Sequence, residues 1–165
     1  MNKHPLRLPP MFGGVEDGSV VWKRIAEIDH GLLGYFLTCH LVIEHYMDEY
    51  LKATMTQLDW EKAKLTFGQR MNLLKWEELV RDQKFDPIPA IKHMNTLRNR
   101  ISHRLEIKLD AEALLPLTYY LKGLDSQGLT IPTDPKKLLE VFVNTCCATF
   151  ASHLTFQHRR QYPNS

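Results

Sequence analysis

Cysteine is scarce in this sequence and poorly placed for structural chemistry. There are three, Cys39, Cys146 and Cys147, and two are adjacent. An odd count with an adjacent pair makes a poor disulfide framework and suits a reducing compartment. No Cys-x-x-Cys pair is present to hold zinc. The apolar neighbours Val141, Phe142, Val143, Ala148 and Phe150 mark Cys146 and Cys147 as small core residues.

Long apolar runs are also missing. Lys3 and Arg7 are followed only by Leu-Pro-Pro-Met-Phe-Gly-Gly. The expectation is therefore no secretory leader, no membrane span and a cytoplasmic protein. Neither sign of charge dominates: 21 basic and 19 acidic residues leave a net charge of +2. No global field draws nucleic acid, so contact with it requires a local patch. Nothing resembles a glycine-rich phosphate loop, a Ser-His-Asp order or a nucleotide fingerprint. No stretch shows sustained two-residue alternation, and the pattern of a sheet protein is absent. No cofactor and no metal site is expected.

What remains is an ordinary globular composition, 44% hydrophobic and 24% charged, in a length that fits one domain. A chain of this size buries roughly 70% of the surface its unfolded form exposes, enough for a core without staples. Residues 1–18 hold three prolines and three glycines without apolar periodicity and read as a flexible arm. Residues 19–160 read as a single domain.

Within it the period is helical. Over about 19–55, Ile25, Ile28, Leu32, Leu33, Phe36, Leu37, His40, Leu41, Ile43, Met47, Tyr50 and Leu51 recur at three- and four-residue steps. Thr66-Phe67-Gly68-Gln69 has the form of a capping box, opening a helix through Met71, Leu73, Leu74, Trp76, Leu79 and Val80. Asp86-Pro87-Ile88-Pro89 starts the next helix, with Ile91, Met94, Leu97, Ile101 and Leu105 along it. Asp110 caps a helix ending near Gly123, and Asp134-Pro135 opens a last one to about residue 158. The fold class predicted is all-α, an antiparallel bundle of about five helices.

One helix end has an unusual composition. Arg98, Asn99, Arg100, Ser102, His103 and Arg104 crowd seven positions, interrupted only by Ile101. Asn99 and His103, four apart, share a face; Arg98 and Ser102 form a neighbouring pair. Arg98 and His103 diverge by roughly 140° on a straight helix, so one helix does not easily aim both at a single phosphate. A distortion, or a second copy across a twofold axis, can bring them together.

Arg98-Asn99-x-x-x-His103 resembles the Arg-polar-x(3)-His motif of the HEPN family, found near the end of a bundle helix. The long amphipathic first helix, the Leu65–Gln69 entry to the second and Leu97–His103 on the third are similar to that family as well. The resemblance covers roughly residues 20–155. It implies a metal-independent endoribonuclease working as a homodimer, of toxin or defence type, with RNA as substrate and an antitoxin or regulatory protein as a further partner. It assigns His103 to proton transfer, Arg98 to clamping phosphate and Asn99 to orienting the imidazole or binding a phosphate oxygen. Arg100 and Arg104 become RNA-binding residues, with Ser102 and Glu44 in support.

The residue types suit that chemistry. Histidine titrates near pH ~6.5 and serves as acid or base at neutral pH. A guanidinium stays charged and offers a rigid fork of donors. The residues alone also admit a solvated helix end, whose arginines oppose the negative end of the helix dipole. The rival to an enzyme is a non-catalytic HEPN-fold interaction or nucleotide-binding module.

Three other groups stand out. His40 and Glu44, with His45 adjacent, have helical metal-ligand spacing. Because His40 lies on the apolar stripe, a hydrogen-bonded core histidine is expected, with Glu44 pairing to an arginine of the motif. Trp60 and Trp76 read as packing residues. His153, His158, Arg159 and Arg160 read as a basic tail.

Overall fold

The computed structural model describes residues 11–23, 29–74, 86–103, 107–124 and 130–161, with the backbone alone at 11–14, 22, 23, 153 and 155–161. Over this range the chain is mostly helical, with one small two-stranded sheet. The all-α expectation holds apart from that hairpin.

The hairpin corrects the reading of the N-terminal region. Strands β1 (Met11–Glu16) and β2 (Ser19–Lys23) pair antiparallel, with Val15 opposite Val20 and Glu16 opposite Ser19. Asp17 and Gly18 turn the chain with φ of 49° and 77°. Positive φ at both central residues is the type I′ geometry, whose twist matches that of the flanking strands. Residues 11–18 thus form a strand and its turn, and the first helix begins at His30 and not near residue 19. The stretch 24–28, with Ile25 and Ile28, lies outside the described residues, as do residues 1–10.

Helix α1 (His30–Thr54) starts where Asp29 accepts the backbone N–H of Leu32 at 2.9 Å. Its buried residues Phe36, Cys39, His40, Ile43, Met47, Tyr50 and Leu51 lie on one face. A single turn, α2 (Trp60–Ala63), is capped by Asp59. Trp60 packs against the core, as read from sequence. Helix α3 (Phe67–Leu73) opens with the expected capping box: Gln69 Oε1 accepts from the Thr66 N–H at 2.8 Å, and Thr66 Oγ1 accepts from the Gln69 N–H at 3.4 Å. It stops at Leu74, whose backbone is extended; the continuation through Trp76, Leu79 and Val80 lies outside the described residues.

Helix α4 (Ile88–His103) follows Pro87, with Pro89 in its first turn and Asp86 Oδ1 accepting from the Ile88 N–H at 2.8 Å. It buries Ala90, Ile91, Met94 and Leu97. Asp110 caps a turn, through the Ala113 N–H, rather than the helix itself. Regular α5 (Leu115–Gly123) begins one turn later with Pro116 near its start. Asp134 caps α6 (Pro135–Gln161) by accepting from Lys137.

Helices α1 and α6 form the centre. A Cβ built on Gly31 lies 3.6 Å from Lys136 Nζ, while the Tyr50 ring meets Phe150 at 5.7 Å. The two longest helices therefore run in the same direction, which corrects the antiparallel expectation for this pair. Short loops force antiparallel packing only on consecutive helices, and these two are first and last. Phe36, Ile43, Met47, Leu51, Met94, Leu97, Leu121, Phe142 and Phe150 share one core.

All three cysteines are free and buried in it, Cys146 and Cys147 as their apolar neighbours indicated. Burial pushes the Cys39 and Cys147 thiols up to about 11 and raises Cys146 as well. Such thiols stay protonated and inert. No helix of the described residues is long and apolar enough to cross a membrane.

Candidate active site

Helix α4 separates its two faces cleanly. Ala90, Ile91, Met94 and Leu97 are buried, whereas Arg98, Asn99, Arg100, Ser102 and His103 are exposed at its C-terminal end. Three- and four-residue steps of apolar residues turn that face to the core and commit the polar residues between them to solvent. His103 closes the described span of α4.

The structure brings Arg98 and Asn99 together: Arg98 Nη1 donates to Asn99 Oδ1 at 3.1 Å. Among the described residues Asn99 bonds to Arg98, its neighbour, and not to the imidazole. Ser102 Oγ donates to its own helix, at the Arg98 carbonyl, at 3.0 Å. That bond belongs to the helix and assigns Ser102 no contact with the other motif side chains. Among the described residues neither Arg98 nor His103 is held in an ion pair. Arg104 lies outside the described residues, as do Trp76 and the side chains of His153, His158, Arg159 and Arg160.

Among the described residues Glu44 pairs with Arg70 and with neither Arg98 nor Arg100 of the motif. Its Oε1 accepts from Arg70 Nη1 at 2.9 Å, and the same guanidinium nitrogen reaches Asp48 at 2.8 Å. Arg70 on α3 thereby ties α3 to α1. The partner was hidden because it lies 26 positions from Glu44. No group of metal-ligating side chains is found among the described residues.

His40 sits behind the motif. It is 3% exposed, and its ring packs against Phe67 at 4.7 Å. Its Nδ1 stands 3.9 Å from Glu44, and its buried Nε2 lacks a well-formed hydrogen bond. The core placement read from sequence is right, but the hydrogen bonding is incomplete. Burial pushes its pKa below the ordinary imidazole value; Glu44 opposes this, the Arg98 charge adds to it, and Asn95 gives weak polar support to the protonated form.

Comparison with known proteins does not extend this picture. No family model, curated protein or solved structure matches the chain. The site therefore rests on its own geometry.

That geometry includes residues not singled out in the sequence. Asn95 and Thr96 lie one turn before Asn99 and Arg100 on α4, and together with Lys92 they form one wall of an open groove of about 450 Å³. Phe67, Gly68 and Asn72 of α3 line the opposite wall. The signal for Asn95 is its spacing, four before Asn99 and eight before His103.

The depressed His40 pKa has a measurable consequence. The unfolded histidine, near ~6.5, binds a proton that the folded one refuses. Stability is therefore complete above about pH 6.5 and falls as pH drops from there towards the folded pKa. Thermal midpoints measured from pH 7.5 to 5.5 should fall more steeply in the parent protein than in His40→Leu. Parallel slopes would show that His40 is not the titrating group.

Proposed function

We propose that this protein is a metal-independent endoribonuclease of HEPN type, with the C-terminal end of α4 as its active surface. The observation that carries the reading is the exposed set Arg98, Asn99, Arg100 and His103, with Arg98 Nη1 held by Asn99. A guanidinium, two further donors and an imidazole within six residues supply the groups that RNA cleavage requires.

The chemistry proceeds at one phosphodiester. The 2′-hydroxyl attacks the adjacent phosphorus, and its proton passes to a base. The bond to the 5′-oxygen breaks, and an acid protonates that oxygen. The products are a 2′,3′-cyclic phosphate and a 5′-hydroxyl. His103 serves a proton-transfer step, and Arg98 neutralises the charge that builds on the phosphorane oxygens. Arg100 holds the neighbouring backbone.

Since Arg98 and His103 diverge by about 140° on a straight helix, the complete site is assembled from two copies. A twofold axis beside α4 brings the Arg98 of one chain to the His103 of the other, in the commonest form of oligomer. The toxin or defence role and an antitoxin partner belong to the same reading.

The test is incubation of purified protein with RNA in excess EDTA, followed by end-group analysis. Cleavage should persist, leave 2′,3′-cyclic phosphate ends and spare DNA, which lacks the attacking hydroxyl. Intact RNA under these conditions would favour the non-catalytic module.

A further inference from the structure

The motif is not isolated on its helix. Lys92, Asn95, Asn99 and His103 follow one another at steps of three, four and four, so they make one continuous polar stripe along α4. From Asn95 to His103 the stripe rises about 12 Å. Its first two members stand in the groove between α3 and α4, and its last two in the candidate active site. The groove thus lies one helical turn before the motif on the same face of α4.

The groove walls differ in character. On α4 the lining side chains Lys92, Asn95 and Thr96 are all polar. On α3 stand Gln69 and Asn72 with the apolar Met71 and Phe67, the last half-buried and backed by the His40 ring at 4.7 Å. An ammonium takes a phosphate oxygen. Carboxamides both donate and accept, which suits the edge of an unpaired base. An aromatic side chain accepts any base because every base has an apolar face. A peptide helix would instead demand a row of apolar anchors, and the α4 wall offers none.

We infer that the α3–α4 groove is a nucleotide subsite, holding a single-stranded RNA nucleotide next to the phosphate engaged by the motif. Lys92 contacts the backbone, Asn72 and Asn95 meet the base edge, and Phe67 supports the base. This deepens the ribonuclease reading and rests on it for the identity of the strand.

Gly68 makes the groove testable. A Cβ added there meets nothing within 4 Å, although the residue lines the groove. A bulky side chain at this position obstructs the groove without disturbing the core, and replacing a helical glycine does not weaken the helix. Thr96→Trp obstructs it from the opposite wall.

The experiment is fluorescence anisotropy with a short labelled single-stranded oligoribonucleotide and full-length protein carrying His103→Ala, which slows cleavage of the probe. Gly68→Trp and Thr96→Trp should each weaken binding by about tenfold or more, the scale of losing one stacked base. The Gly68→Trp melting temperature should equal or exceed that of its parent. Lys92→Ala should weaken binding and reduce the salt slope by about one. Unchanged affinity in both tryptophan variants, or a parent that binds no RNA, overturns the subsite.

The two readings fail separately. Protein with His103 intact that binds RNA through the groove but never cleaves it ends the ribonuclease reading and keeps the subsite. Protein that cleaves RNA and ignores both obstructions does the reverse.

Discussion

His103→Ala should lower the rate of RNA cleavage by about a hundredfold or more, the usual loss when a general acid or base is removed. The folded state should hardly notice. His103 is exposed and closes the described span of α4, so its removal opens no cavity. The only structural cost is a favourable interaction with the helix dipole, typically ~0.3–1 kcal/mol when the imidazole is charged. Activity and stability are therefore expected to separate. Melting temperature should stay near that of the parent while the rate constant collapses, with RNA affinity little altered. A variant that cleaves RNA at the parental rate would remove His103 from the mechanism and return it to an ordinary solvated helix end.

Arg98→Lys should produce a loss of similar size for a different reason. The substitution keeps the charge but removes the planar fork, and with it the Nη1 donor that Asn99 holds at 3.1 Å. An ammonium on a flexible stem is not positioned by that bond. Losing one preorganised donor to a developing oxyanion commonly costs about a hundredfold or more in rate. Arg100→Ala, by contrast, should act mainly on RNA affinity and its salt dependence. Equal losses with equal salt slopes in the two variants would refute this division of roles.

The same pair tests the two-chain site. Mixing Arg98→Ala chains with His103→Ala chains allows each heterodimer one intact composite centre, if the two residues act from opposite copies. Part of the activity should return, and the purified protein should behave as a dimer. Full activity in a strict monomer would exclude the arrangement.

Much of the local architecture was legible because it depends on residues close in sequence. Thr66 and Gln69 announce a capping box, and it is present. Asp134 before Pro135 marks the start of α6. The buried positions of α1 follow the apolar period, His40 included, although Leu41 from the same stripe is 62% exposed. The hairpin was legible too, but through a different signal. Asp17-Gly18 between valines is a strong type I′ turn pattern. The helical spacing of Ile25 and Ile28 downstream masked it, and two short strands offer too little alternation to compete.

The site divides along the same line. The polar cluster at the end of α4, and its exposure, were written in the sequence by the inward spacing of Ile91, Met94 and Leu97. The Arg98–Asn99 bond joins adjacent residues, yet adjacency alone did not reveal it. Side chains at neighbouring helix positions point about 100° apart, and only their rotamers bring them together.

Composition, the starts of α3, α4 and α6, and the buried face of α4 were determined by the sequence itself. They depend on backbone hydrogen bonds and side-chain periodicities that span a few residues. Tertiary packing alone decided that α1 and α6 run in the same direction, and that Arg70 rather than a motif arginine takes Glu44. It also set Phe67 and Asn72 across a groove from Lys92 and Asn95. These contacts join residues some twenty to a hundred positions apart. They become favourable only when all the helices bury their apolar faces together, so no local pattern records them.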